Sequence, residues 1–369
     1  MHTRAPQSVA LVHDWLNQLG GAEDVLVALH RMFPDAPIFT SIYDRERMPA
    51  AWRDWDIRPN WMDRLPGIHR HHQPYMPLYA LAFGAQTLPG AYEVVLSNKS
   101  AFCLAVRARG ARHVCYCLTP TRFIYDFDTY AARERLPGVA RPILKALNAA
   151  LRDFERRAAQ RIDLFIAIST EVQRRIKALY DRESVIVYPP VDVDTFTPDA
   201  DAGAGDYFFI ASRLLPYKRI DLAIEACHRI GARLVIAGQG RDRERLARLA
   251  ADKPGIKFVG RVSDAELVRL MRGCRAFLFP GLEDFGIAPI NAMACGRPVI
   301  AFAGGGALDT VIEGETGVLF AEQTADSLTS ALRDFDGVRF APGAIRAHAE
   351  KFGVPRFERE LLAAIASIA

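Results

Sequence analysis

The stretch 279–302 constrains this chain more than any other. It begins Phe279-Pro280-Gly281-Leu282-Glu283-Asp284-Phe285-Gly286-Ile287 and runs through Pro289 and Asn291 to Cys295-Gly296-Arg297-Pro298-Val299-Ile300. The short apolar run 276–279 suits a buried parallel strand. Gly281 to Gly286 is a turn. Proline is tolerated only in the first turn of a helix, so Pro289 places the helix start near Gly286. Gly296 and Pro298 mark its end, and 299–302 is the next strand. A helix start facing a glycine-containing turn points unpaired backbone N–H groups outward, which favours an anion. Glu283 sits just before that start. Its carboxylate would be repelled by a phosphate unless it reached past it to sugar hydroxyls.

The same alternation fills the rest of the chain. Strands are expected at 9–12, 38–43, 92–97, 113–118, 162–168 and 185–188, and again at 207–211, 234–237, 257–262 and 316–320. The 369 residues are enough for two α/β domains. A stretch rich in Pro, Asp, Gly and Ala separates them. The expected division is 1–188, a linker at 189–205, 206–350, and a final helix within 351–369. Ser169-Thr170 reads as a helix cap and Ser263-Asp264-Ala265-Glu266 as a capping box.

Several residues bear on chemistry. Gly20-Gly21 opens the first helix and permits close backbone approach to a phosphate. Arg213 and Lys218 follow a strand's C-terminal end, where a guanidinium fork and an ammonium suit phosphate. Gly238-Gln239-Gly240 is not the dinucleotide fingerprint, which argues against a nicotinamide enzyme. A net charge of +4 is too small to argue for nucleic acid, but is compatible with anionic ligands or a membrane surface. The six cysteines form no CxxC pair and are expected to be free and buried. No apolar run is long enough to span a bilayer, and 1–7 lacks an apolar signal core, so a cytoplasmic location is expected.

Residues 52–83 interleave Trp52, Trp55, Trp61, Tyr75, Tyr79 and Phe83 with arginines. They read either as an interfacial membrane patch or as a loop and helix packed on the first sheet. His69, His71 and His72 have no partner at ligand spacing, so no metal site is expected there. Asp126-Phe127-Asp128 and Asp192-Val193-Asp194 are too short a pattern to argue for a metal. A basic helix is expected at 141–161, with Arg152, Arg156 and Arg157 on or near one face.

The Glu-Asp-Phe-Gly-Ile run at Glu283, with the following Pro289 and 292–300, resembles the donor signature of family 4 retaining glycosyltransferases of the GT-B fold. The resemblance covers nearly the whole chain and implies two Rossmann-like, doubly wound domains facing an inter-domain cleft. It makes the first domain the acceptor side and the second the nucleotide-sugar side, with the last helix returning to the first domain. Glu283 matches the residue that contacts the donor sugar. Arg213 and Lys218 match the diphosphate-binding pair. Val259, Gly260 and Arg261 match the base-reading turn, and Phe285, Gly286 and Ile287 the helix start. Gly20 and Gly21 would meet the same phosphates from the first domain, converging with Glu283, Arg213 and Lys218 on one crevice. Gly304-Gly305-Gly306 with Asp309 resembles a further family turn, Asp standing in the usual place of Glu.

Thr119-Pro120-Thr121-Arg122 resembles a motif of the mannosyltransferase branch that assembles surface polysaccharides, O-antigen or exopolysaccharide. Thr119 and Arg122 are therefore assigned to the acceptor. The branch implies GDP-mannose as donor and a lipid-linked saccharide as acceptor. The two cations Arg213 and Lys218 make a divalent ion unnecessary, and no cofactor is expected. Because the acceptor is expected at the inner face of the cytoplasmic membrane, the 52–83 patch and the basic helix are expected to hold the protein there on anionic lipid. Two positions depart from the pattern. Leu118 stands where relatives carry His, and Asn291 where they carry the glutamate that binds the ribose. Asn keeps the hydrogen bond but loses the charge, which weakens nucleotide binding by about tenfold. The alternatives are a catalytically impaired protein that binds sugar nucleotide or a partner, and a sugar-nucleotide epimerase on the same fold.

Overall fold

A computed structural model describes residues 6–125, 141–199 and 205–368. Asp126-Phe127-Asp128 and residues 200–204 of the 189–205 stretch lie outside them. The chain divides into two compact units, Met1–Tyr188 with Glu358–Ala369, and Pro189–Phe357.

The first unit is built on seven strands: β1 (Val9–His13), β2 (Ile38–Thr40), β3 (Ile57–Pro59), β4 (Val94–Lys99), β5 (Arg112–Cys117), β6 (Leu164–Ala167) and β7 (Ser184–Ile186). All neighbours are parallel, in the order β3-β2-β1-β4-β5-β6-β7. β1 is buried along its whole length, as expected of a strand covered on both faces. The observed β4 lies two residues beyond the expected 92–97, because the pairing of Val9 with Val94 through His13 with Asn98 sets the register.

The Asp14 carboxylate, fully buried, accepts from the backbone N–H groups of Ser100 (2.7 Å), Ala101 (2.7 Å) and Cys103 (2.8 Å), and from Ser100 Oγ (3.1 Å). It thereby ties the end of β1 to the turn after β4.

The second unit has six parallel strands: β8 (Tyr207–Ala211), β9 (Arg233–Ala237), β10 (Ile256–Gly260), β11 (Ala276–Phe279), β12 (Val299–Phe302) and β13 (Gly317–Phe320). Their order is β10-β9-β8-β11-β12-β13. The helix Ile287–Ala294 begins one residue after Gly286. Ser263 accepts from Glu266 N–H (3.3 Å), but Glu266 forks onto Arg269 (both bonds 2.7 Å), so only one arm of the expected capping box is made.

The 52–83 region takes the packed reading for most of its aromatics. Trp52 is buried and stacks on Trp55, with centroids 4.5 Å apart, and Tyr79 and Phe83 are fully buried. The helix Met76–Ala85 packs against the helix Arg141–Ala159, where a Cβ on Gly84 would stand 2.7 Å from the Phe154 ring. Trp61 (49% exposed) and Leu81 (63%) remain at the surface. In the basic helix Arg156 and Arg157 are exposed, whereas Arg152 turns inward and donates to the Ile124 carbonyl. All six cysteines are free and buried. Among the described residues no helix is long and apolar enough to cross a membrane.

His72 and His113 are two of the three histidines buried among the described residues of the first unit. His113 Nε2 lies 3.1 Å from Ser97 Oγ and His72 Nδ1 2.8 Å from Asn17 Nδ2. Burial lowers the pKa of each to about 4. The unfolded chain, with histidines near 6.5, binds more protons between these limits. Stability therefore rises with pH across that window, and is lost as pH falls from about 6.5 towards 4. Each histidine contributes on the order of 3 kcal/mol. Urea unfolding of wild type and His72→Gln between those pH values should show a shallower slope in the variant. An unchanged slope would remove His72 from the account.

Candidate functional site

In the second sheet the strand order reverses between β8 and β11. Open parallel sheets bind ligands outside the carboxyl ends of the strands at such a reversal. The turn after β8 carries Arg213 and Lys218, and the turn after β11 carries Glu283. Lys218 Nζ donates to Glu283 Oε2, the side chains being 14% and 17% exposed. The ammonium also lies 5.2 Å from the Tyr217 ring centroid. A Cβ on Gly281 would stand 3.0 Å from Lys218 Cα and 3.1 Å from its carbonyl oxygen, so glycine lets the two backbones meet.

The turn after β12 holds Glu283 from the other side. Gly306 N–H donates to the Glu283 carbonyl (2.9 Å). Gly305 has φ +60, and a Cβ there would fall onto that same carbonyl oxygen. Arg213 is exposed, but the backbone around it is fixed. Ser212 N–H donates to Ala237 (3.1 Å) and Leu214 N–H to Gln239 (2.9 Å). Gly238 N–H donates to the Gly260 carbonyl (2.7 Å), which links the Val259-Gly260-Arg261 turn to the same edge. The glycines at 238 and 240 leave no room for a Cβ against Ser212 and Leu214.

Gly286, with φ +99, precedes the helix Ile287–Ala294, and no side chain caps it. A Cβ on Gly286 would meet the Phe279 ring at 2.7 Å. Phe285 is buried below. Asn291 Oδ1 is buried without a hydrogen-bond partner among the described residues. The edge thus gathers two cations, one carboxylate and an uncapped helix start, a combination suited to a phosphate group attached to a hydroxyl-rich ring.

The first unit presents its predicted residues differently. Gly20 caps the helix Gly21–Met32 in an extended conformation open to any residue, φ −176. Glu23 in the first turn is buried and lies 3.3 Å from His13 Nε2. Thr119 receives hydrogen bonds from Lys99 Nζ at its carbonyl (2.9 Å) and from Arg175 at its hydroxyl (3.1 Å). Arg122 starts the short helix Arg122–Tyr125. The N–H of Leu118 donates to the Lys99 carbonyl (2.8 Å). Asp192 of the second Asp-x-Asp caps Thr195 through its N–H (3.0 Å) and hydroxyl (2.6 Å), a structural role.

Lys99 and Glu155 escape a sequence reading. They form a fully buried pair at 3.0 Å. Lys99 also donates to Thr121 Oγ1 (3.2 Å) and Tyr180 Oη (3.1 Å), and Thr121 donates to Glu155. Burial is the largest influence and opposes the ammonium's charge, but Glu155 with the Cys117 and Cys115 thiols together outweigh it, and the Lys99 pKa lies above its ordinary value. The available signals were a lysine ending the run Val94-Val95-Leu96-Ser97-Asn98 and a glutamate in step with the buried Asn148, Leu151 and Ala158.

Residues 19–195 match the family model described as Glycosyltransferase Family 4, and residues 200–335 the one described as Glycosyl transferases group 1. The chain is 32% identical over 227 residues to the GDP-mannose-dependent monoacylated alpha-(1-6)-phosphatidylinositol monomannoside mannosyltransferase of Corynebacterium glutamicum. That match takes in 53% of this chain and 59% of the relative. It is 30% identical over 207 residues to the GDP-mannose-dependent alpha-(1-6)-phosphatidylinositol monomannoside mannosyltransferase of Mycolicibacterium smegmatis, covering 48% of this chain and 54% of that one. The chain therefore spans only somewhat more than half of these relatives. The crystal structure of Anabaena Alr3699/HepE in complex with UDP superimposes with a TM-score of 0.73 at 17% identity, over 98% of this chain and all of that one.

The clamp on Glu283 is open to test without any ligand. Gly314 has φ +77 with open space around it, so Gly314→Ala meets only the left-handed penalty, about 1–2 kcal/mol. Gly305→Ala adds the collision with Glu283 and should cost clearly more in urea unfolding. Equal costs would mean the Glu283 loop is not held by this turn.

Proposed function

Because this chain belongs to glycosyltransferase family 4 and has the GT-B fold of two Rossmann-like domains, we propose that it is a retaining hexosyltransferase. In this reading it moves mannose from GDP-mannose to a lipid-linked saccharide in surface polysaccharide assembly. The observation that carries the reading is the Lys218–Glu283 pair set across the strand reversal of the second sheet. The GDP-mannose-dependent relatives favour the donor.

In the reaction the bond from the sugar's anomeric carbon to the diphosphate breaks, and its electron pair leaves with the diphosphate. The acceptor hydroxyl attacks the face the diphosphate vacates, and its proton passes to the leaving phosphate. Arg213, Lys218 and the N–H groups at Gly286 and Ile287 stabilise the charge that develops there. These groups supply that stabilisation in a metal-independent mechanism. With donor bound, Lys218 turns from Glu283 to the phosphate, and Glu283 accepts from the sugar hydroxyls. Asn291 Oδ1, lacking a partner among the described residues, accepts from a ribose hydroxyl. Val259, Gly260 and Arg261 meet the base. Thr119 and Arg122 meet the acceptor. The assignment of Gly20 and Gly21 to the donor diphosphate rests on the family resemblance alone.

A thermal-shift screen should show stabilisation by GDP-sugars above UDP- and ADP-sugars. Lys218→Ala should lower transfer to a lipid-extract acceptor by about a hundred- to thousandfold. Wild-type protein that binds donor without turnover, and turns over only as Leu118→His, would replace this reading with that of an impaired binding protein.

Peripheral attachment to the inner face of the cytoplasmic membrane is part of the proposal. It rests on the exposed Trp61 and Leu81 with the exposed Arg53 and Arg64, not on the buried aromatics. Each arginine near an anionic surface contributes about 1 kcal/mol. Co-sedimentation with liposomes should increase with anionic lipid content. Binding indifferent to it would exclude this attachment.

A further inference from the structure

At the carboxyl edge of β2 and β3 the first unit contains a pocket of about 620 Å³. That volume is in the range of small-molecule sites, about 300–1,000 Å³. Its lining mixes arginines with acids, and the acids differ in how far they are committed. Asp44 accepts from the N–H groups of Glu46 (3.2 Å) and Arg47 (3.3 Å) and pairs with the Arg47 guanidinium (3.4 Å). Asp63 accepts from Tyr43 N–H (2.8 Å) and lies 3.0 Å from His69 Nε2. Arg45 and Arg70 are exposed and have no ion-pair partner among the described residues. Arg45 sits 5.7 Å from the Tyr43 ring centroid, a cation–π placement that restrains the guanidinium. Glu46, exposed on the same wall, has no side-chain partner among the described residues.

Two uncommitted guanidinium forks match a phosphate, to which arginine binds in a bidentate manner. The carboxylates beside them would repel a bare anion but accept hydrogen bonds from hydroxyls. We propose that this pocket binds a phosphorylated saccharide, its phosphate on Arg45 and Arg70 and its ring hydroxyls on Glu46 and Asp63. The site lies wholly within the first unit and does not depend on the reading of Lys218 and Glu283.

The test is calorimetric titration of the full chain with glucose 1-phosphate, glucose and inorganic phosphate. Lys218→Ala, in which the second-unit edge is weakened, should still bind glucose 1-phosphate, and either part alone more weakly. In that background the double change Arg45→Ala/Arg70→Ala should bind it at least about tenfold more weakly. Its circular dichroism and thermal midpoint should be those of Lys218→Ala, and Arg45→Gln/Arg70→Gln serves as a second variant if they are not. No binding by wild type overturns the proposal. So does binding lost in Lys218→Ala, binding kept when the arginines are changed in that background, or inorganic phosphate bound as tightly as the sugar phosphate.

Discussion

In a parallel sheet every strand delivers the chain to the same edge, and everything functional in this protein depends on that constraint. Residues far apart in sequence, such as Arg213, Gly260, Glu283 and Gly305, share an edge because each ends or follows a parallel strand of one sheet. The turns there are short and tied to one another through the backbone. Ala237 and Gln239 accept from the turn after β8, Gly260 accepts from Gly238, and Glu283 accepts from Gly306. Glycine is required at 238 and 305, where a Cβ would collide with a backbone oxygen, and at 281 it relieves a tight approach to Lys218.

The two units use their strand reversals in opposite ways. In the first, Asp14 fills the reversal between β1 and β4 with its own carboxylate, occupying the N–H groups of Ser100, Ala101 and Cys103. Glu23 adds a second buried carboxylate at the neighbouring helix start. In the second, the helix start at Gly286 has no side-chain cap and stands near the turns that carry Lys218 and Arg213. An anion is thus opposed at one reversal and favoured at the other, although six strands of each sheet follow the same order.

A buried ion pair is a weak source of stability, because desolvation offsets much of the attraction. The Lys99–Glu155 pair is better understood as a fixing device. Through Lys99 and Arg175 it holds the Thr119–Thr121 segment by both its carbonyl and its hydroxyl groups. Removing one partner would leave a charge buried alone, which costs about 3–5 kcal/mol.

The sequence by itself determined the α/β class, the second-unit strands at 276–279 and 299–302, and the helix start after Gly286. These are local matters: apolar runs, one proline within a helix's first turn, and glycines at its two ends. It also carried the family, because the residues around Glu283 form a long contiguous motif. Only the tertiary structure decided that Lys218 pairs with Glu283 and that Gly305 clamps the Glu283 carbonyl. It likewise decided that Trp52, Tyr79 and Phe83 are core rather than surface, and that Lys99 finds Glu155. A side chain's burial and its partner are set by which strands lie side by side, and that order comes from packing the whole sheet, not from the residues flanking each position.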